Sequence, residues 1–172
     1  MKPIALIVLL LACMACVRKS AQLPANKGDN TPNPTQQLLD YNKACLEAEM
    51  NEIQAFLATN TQFKATQEGY WIYIVQAGKG KTIQPMQTVK LNYSVERLDG
   101  SVCYSSATEG SKTITVGKRE WLQGIDIILP TLTLGSEVVV IIPSRMAYGL
   151  RGKDNCITSY FPLLCRLQLK EE

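Results

Sequence analysis

Seven tyrosines, six cysteines and no histidine define the chemistry open to this chain of 172 residues. Without an imidazole, Ser-His-Asp and Cys-His catalysis are excluded, and the commonest zinc ligand is missing. Carboxylate, cysteine or tyrosine chemistry is left, or catalysis by the environment of a pocket alone. The stretch that raises the question most sharply is "DGSVCYSS", residues 99–106, where Cys103 and Tyr104 follow a turn signal. Asp99-Gly100 marks a hairpin, because both residues tolerate positive φ. One strand is expected to end at Leu98 and another to start near Ser101, which puts Cys103 and Tyr104 on the returning strand.

The elements that must hold these side chains follow from periodicity. "GYWIYIVQAGKG" (69–80) and "TVKLNYSVERLDG" (88–100) alternate as strands, the second with Val89, Leu91, Tyr93 and Val95 on one face. "KTITVG" (112–117) is a further short strand. "KREWLQGIDIILPTL" (118–132) reads as helix in two pieces, with Pro130 forcing an end or a kink. "SEVVVIIP" (136–143) is apolar enough to be buried on both faces, and "PLLCRLQLKE" (162–171) sets Leu163, Cys165, Leu167 and Leu169 on one side. Strands outnumber helices and a hairpin joins two of them, so the expected class is α+β with a mostly antiparallel sheet on one short helix. A net charge of +3 without a Lys/Arg run argues against nucleic acid as a partner.

The N-terminus reads as an address. Met1-Lys2 is followed by "IALIVLLLA" (4–12), a run of signal-peptide length that is too short to span a bilayer. It ends in Leu10-Leu11-Ala12-Cys13, which resembles a bacterial lipoprotein box with Cys13 as the acylated residue. Cys16 is the alternative, and an ordinary cleaved signal peptide the other reading. Residues 13–34 have the composition of a flexible tether, rich in Pro, Asn, Gly, Lys and Ser. Residues 35–60 follow helical spacing through Leu38, Leu39, Tyr41, Cys45, Ile53, Phe56 and Leu57, with Thr35 as expected N-cap and Asn60 as stop. That amphipathic helix docks on the chain's own domain or on a protein partner. The expected divisions are a lipoprotein signal peptide (1–12), tether (13–34), N-terminal helix (35–62) and main domain (63–172).

Taken in order, "VKLNYSV", "DGSVCYSS", "VGKREWLQGIDIIL" and "LGSEVVVIIPSRMAYG" resemble the motifs of the FKBP family of peptidyl-prolyl cis-trans isomerases. The lipobox, tether and helix further resemble the envelope-lipoprotein branch found in Bacteroidetes, related to gliding-motility isomerases. The resemblance implies an FKBP-like fold and rotation of X-Pro bonds in proline-containing polypeptides, without nucleophile, metal or cofactor. Amide resonance sets a barrier of roughly 18–20 kcal/mol to that rotation. A twisted amide is less dipolar than a planar one, so a dry pocket disfavours the planar state more. Carried over, Tyr93 matches a pocket-wall tyrosine and Tyr148 the tyrosine whose hydroxyl donates to the ligand. Leu122 and Ile157 match positions whose backbone N–H groups meet ligand carbonyls, and Ile125 the pocket floor.

Departures from the family pattern are as informative. Cys103 and Cys165 stand where pocket phenylalanines are usual, Tyr104 where there is an aspartate, and Ile125 where there is a tryptophan; Lys112 lies near a third phenylalanine position. Strand alternation would point Tyr104 away from the face used by Cys103. In the family's fold Cys103 and Cys165 face one cavity, so a disulfide between them is one expectation, and two small buried thiols the other. Cys45 and Cys156 form a second candidate pair. Three functions remain open: an envelope isomerase, a peptide-binding module or chaperone with little turnover, and a structural lipoprotein that uses helix 35–60 as its contact.

Overall fold

The computed structural model describes residues 33–170. Helix α1 (Pro34–Thr59) precedes strands β1 (Lys64–Ala65), β2 (Trp71–Gln76), β3 (Thr88–Glu96) and β4 (Val102–Ser105). A single-turn helix α2 (Ser106–Glu109), strand β5 (Lys112–Thr115), helix α3 (Gln123–Ile128), β6 (Glu137–Ile142) and β7 (Leu163–Leu169) follow. The seven strands form one antiparallel sheet in the order β1-β2-β6-β7-β3-β4, with β5 also paired to β3. The α+β class and a short helix, α3, packed on an antiparallel sheet are as expected; the single-turn α2 is an addition.

Strand β3 serves three neighbours. One edge pairs with β7 from Leu91 to Glu96, and the other is divided between β5 (Thr88 to Leu91) and β4 (Ser94 to Glu96). Between the two short strands the ladder is interrupted at Tyr93, and the Ser106 hydroxyl repairs it. It accepts from the Tyr93 N–H at 3.0 Å and donates to the Tyr93 carbonyl at 3.2 Å. An unpaired backbone group buried there would cost about 1–3 kcal/mol. The Asp99-Gly100 turn forms as expected, with Gly100 at φ 89° and the Arg97 N–H bonded to the Ser101 carbonyl at 2.9 Å.

The unbroken apolar run of β6 feeds both sides of the sheet. Val138, Val140 and Ile142 enter the inner core beneath α3, whereas Val139 and Ile141 face α1 on the outer side. On the inner side Leu122, Ile125 and Ile128 pack onto the sheet. Close approach there requires Gly124, since a Cβ at that position would lie 2.7 Å from Ile142 Cγ2. The helix expected over 118–132 is shorter than its apolar pattern suggested. Gly117 and Arg119 have φ of 91° and 51°, and the Asp126 carboxylate accepts from both N–H groups at 3.2 and 2.5 Å. This side-chain bonding competes with helix, so α3 starts only at Gln123, and Pro130 lies in a closing 3₁₀ turn, Leu129–Thr131.

Helix α1 begins earlier than Thr35. Asn33 is the cap, its Oδ1 accepting from the Thr35 N–H at 3.0 Å, and Pro34 occupies the first helical position, where a missing N–H has no consequence. Asn60 does end the helix, its side chain donating to the Phe56 carbonyl at 2.9 Å. The second half of α1 is committed to the chain's own sheet: Ile53 is fully buried, and Phe56 and Leu57 pack beside Val139, Ile141 and Leu164. Leu38, Leu39 and Tyr41 stay 60%, 57% and 62% exposed, so the first half of α1 leaves apolar surface open to a partner. Ile53→Ala should therefore cost about 2–5 kcal/mol in urea unfolding, and Leu39→Ala no more than about 0.5 kcal/mol. Equal losses at the two positions would contradict this docking.

Candidate active site

Five separate segments deliver side chains to one region of the inner core. Tyr93 comes from β3, Cys103 and Tyr104 from β4, Trp121, Leu122 and Ile125 from the start of α3, Tyr148, Cys156 and Ile157 from the long β6–β7 connection, and Cys165 from β7. Ile125 and Cys165 are fully buried and Leu122 and Ile157 nearly so, whereas Tyr148 is half-buried. The Tyr93 ring lies 4.9 Å from Trp121 and 6.0 Å from Tyr104, centroid to centroid. The Tyr104 and Tyr148 hydroxyls are hydrogen-bonded at 2.6 Å. Around this cluster Lys112 sits 5.4 Å from the Trp121 ring centre and 5.7 Å from that of Tyr93, and Lys153 only 3.4 Å from that of Tyr104.

The electrostatics favour neutral groups. Burial, followed by the hydrogen bond to Glu109 (2.7 Å) and that residue's charge, pushes the Tyr93 phenol up to about 12. Burial and the bond to Tyr148 raise Tyr104 well above the ordinary phenol range. Tyr148 is raised by burial, against opposing contributions from its bonds to Tyr104 and Trp121. Burial keeps the Cys165 thiol protonated, so it is no nucleophile. No cluster of ligating side chains that could hold a metal occurs among the described residues. What these groups can do is present apolar and aromatic surface with phenol hydroxyls among it, flanked by the charges of Lys112, Lys153 and Glu109.

Two sequence expectations are corrected here. Cys103 is bonded to Cys156, with Cα atoms 5.7 Å apart, and neither to Cys165 nor within a Cys45–Cys156 pair; Cys45 and Cys165 are free. The reason lies in the sheet: β4 and β7 flank β3 on opposite edges. Two strand steps of about 4.8 Å each exceed the reach of a disulfide. Second, Tyr104 does not point away. Val95 pairs with Tyr104 and Glu96 with Val102, so Cys103 is the extra residue of a β-bulge and alternation fails at that point. Tyr104 is 7% exposed and belongs to the inner core, against which Cys103 also packs. The Ile157 N–H, expected to meet a ligand carbonyl, is bonded to Asp154 Oδ1 at 3.1 Å in this unliganded structure.

The connection that carries Tyr148 is braced from outside the site. Glu49 of α1, 6% exposed, accepts from the Ser144 N–H at 2.5 Å and from its hydroxyl at 2.8 Å. The Ser144 carbonyl in turn accepts from Ala147 and Gly149, at 2.9 and 2.8 Å, on either side of Tyr148. Farther along, the Tyr160 hydroxyl donates to Asn42 of α1 at 2.5 Å. Helix α1 thus holds the backbone on which Tyr148 is mounted.

The sequence model of the FKBP-type peptidyl-prolyl cis-trans isomerases matches residues 79–169, more than half of the chain, including the five segments that meet in the inner core but not helix α1. This chain belongs to the FKBP family. Relatives include a probable FKBP-type peptidyl-prolyl cis-trans isomerase of Haemophilus influenzae, 28% identical over 107 residues, or 60% of this chain and 43% of the relative. FK506-binding protein 1 of Debaryomyces hansenii is 32% identical over 100 residues, covering 57% of this chain and 89% of that protein. A peptidyl-prolyl cis-trans isomerase of Pseudomonas syringae pv. tomato shares the fold, with a TM-score of 0.65 over 75% of this chain and 93% of that one at 22% identity. The chain spans less than half the length of the Haemophilus relative.

Within this FKBP domain, the sequence alone assigns no role to Trp121, Glu109, Lys153 or Ser106. Trp121 carried a usable signal, an aromatic residue directly before Leu122 in the motif "EWLQG"; the others act through contacts that cross the chain. Phenols in the unfolded chain ionise near pH 10, while Tyr93 in the folded state holds its proton to about 12. The contribution of the Tyr93 phenol to stability is complete below about pH 10 and is lost as pH rises through about 12. Ultraviolet titration should show Tyr93, Tyr104 and Tyr148 ionising only with alkaline unfolding. Their ionisation near pH 10 in a folded chain would contradict the burial.

Proposed function

We propose that this protein is a peptidyl-prolyl cis-trans isomerase of the bacterial cell envelope, of the lipoprotein kind found in Bacteroidetes, acting on proline-containing polypeptides. The observation that carries the reading is the convergence of Tyr93, Trp121, Leu122, Ile125, Tyr148 and Ile157 in one core inside the family-matched region. Catalysis is by environment. Apolar walls strip solvent from the X-Pro amide, which disfavours its planar, dipolar form more than the twisted one. The Tyr148 hydroxyl donates to a flanking carbonyl and fixes the pose of the peptide. No bond to the protein forms, and no proton need be transferred.

A second reading is favoured by a specific contact. Because the Tyr148 hydroxyl already has a partner in Tyr104, and cysteines replace two wall aromatics, a peptide-binding module or chaperone with little turnover fits the same site. An isomerisation assay with proline tetrapeptides separates the two. An enzyme accelerates the slow phase at micromolar concentration, and Tyr148→Phe lowers kcat/KM by about two- to tenfold, the worth of one hydrogen bond. No acceleration, with binding retained, selects the module.

Location rests on the N-terminal residues, which lie outside the described ones. The basic start, the apolar run 4–12 and Leu10-Leu11-Ala12-Cys13 support acylation of Cys13, with Cys16 as the alternative acceptor. Acyl chains contribute about 0.8 kcal/mol per buried methylene to membrane attachment. Cys13→Ser should move the full-length chain from the membrane to the soluble fraction and abolish fatty-acid labelling. Unchanged fractionation would remove the lipid anchor at Cys13.

A further inference from the structure

We propose that Tyr104 is the gate of the prolyl pocket: it occupies the Tyr148 hydroxyl in the free protein and must turn out before a peptide carbonyl can take its place. The proposal builds on the isomerase reading of this site. Its basis is the way Tyr104 is held. The side chain is 7% exposed, its hydroxyl lies 2.6 Å from that of Tyr148, its edge meets Tyr93 at 6.0 Å, and the Lys153 ammonium covers one face at 3.4 Å. Cys103, Ile125 and Cys165 carry less side-chain volume than the aromatic residues that the family resemblance places at those positions, and the Tyr104 ring packs in the same inner core. A prolyl ring seeking the contacts of Tyr93 and Tyr148 competes with a ring already there.

The backbone around the gate is pinned, which confines the motion to side chains. Cys103, one residue before Tyr104, is tied to Cys156, one residue before Ile157. The Asp154 carboxylate and the Lys153 N–H close the same loop, bonding the Cys156 and Ile157 N–H groups and the Ile157 carbonyl. Opening therefore consists of a rotation of Tyr104 and the release of the Lys153 ammonium, whose side chain is exposed and has no carboxylate within ion-pair distance among the described residues. Apparent affinity for a peptide is the intrinsic affinity reduced by the fraction of molecules that are open. Weakening the gate raises that fraction.

A different role for the same contact predicts the opposite sign. If Tyr104 donates to Tyr148, it leaves the Tyr148 proton free for substrate and orients it, so loss of the Tyr104 hydroxyl would lower activity. The test uses full-length protein, its Tyr104→Phe, Tyr104→Ala and Lys153→Ala variants, and the tetrapeptide Ala-Leu-Pro-Phe as probe. Binding is read from Trp121 fluorescence, since that ring touches Tyr93 in the site while Trp71 lies on the outer face; turnover is read in parallel. A gate gives tighter binding in the order Tyr104→Ala, Tyr104→Phe, wild type, by about tenfold at the extreme, and Lys153→Ala shifts the same way. Weaker or unchanged binding in folded Tyr104→Phe and Lys153→Ala overturns it, even where Tyr104→Ala fails to fold. Tighter binding without turnover in any variant keeps the gate and removes the isomerase; turnover that is indifferent to Tyr104 does the reverse.

Discussion

The architecture turns on one constraint, that a nine-residue strand has two shorter strands on the same edge. A gap in the ladder between β5 and β4 is unavoidable, and it falls at Tyr93. The Ser106 hydroxyl satisfies both backbone groups there, which keeps Tyr93 in register and its ring on the inner face. One step further the β4 partner has a bulge, and this extra residue turns Tyr104 inward beside Tyr93. Tyr93 points inward by the ordinary alternation of β3, whereas Tyr104 owes its direction to the bulge in β4. Irregular pairing is common next to functional sites because it re-aims a side chain without breaking the sheet.

The chemistry that follows is one of surroundings. Burial raises the tyrosines and keeps the thiol neutral, so the site offers hydroxyl donors and apolar surface and no charged catalyst. Such a niche suits a reaction whose transition state is less polar than its ground state. The two cysteines of the inner core, Cys103 and Cys165, have separate fates: one is drawn into a covalent tie to the Ile157 loop, the other is a packed thiol. Tyr104 supplies aromatic surface beside them.

Helix α1 is more than a spacer before the domain. Its Ile53, Phe56 and Leu57 cover the outer face of the sheet, and the buried Glu49 carboxylate holds Ser144 at the root of the Tyr148 turn. A buried carboxylate is costly to desolvate unless its lone pairs find donors. Here the donors are a backbone N–H and a hydroxyl of the segment that has to be placed. Stability on one face of the sheet and geometry on the other are joined through that pair.

The sequence alone determined the class, six of the seven strands (all but the two-residue β1), the inner face of β3, the doubly buried β6, the Asp99-Gly100 turn and the family, because period-two alternation, turn residues and spaced motifs are local properties of a chain. It also identified Tyr93, Tyr104, Ile125 and Tyr148 as residues of interest from their positions in those motifs. The disulfide partner of Cys103, the inward turn of Tyr104, the occupied Ile157 N–H and the Glu49 brace were decided only in the tertiary structure. Each depends on which strands are neighbours, on one extra residue in a ladder, or on a contact between residues 95 positions apart. Periodicity describes how a segment meets a face; it contains no measure of distance between segments, and disulfides, hydroxyl pairs and buried carboxylates are settled by distance.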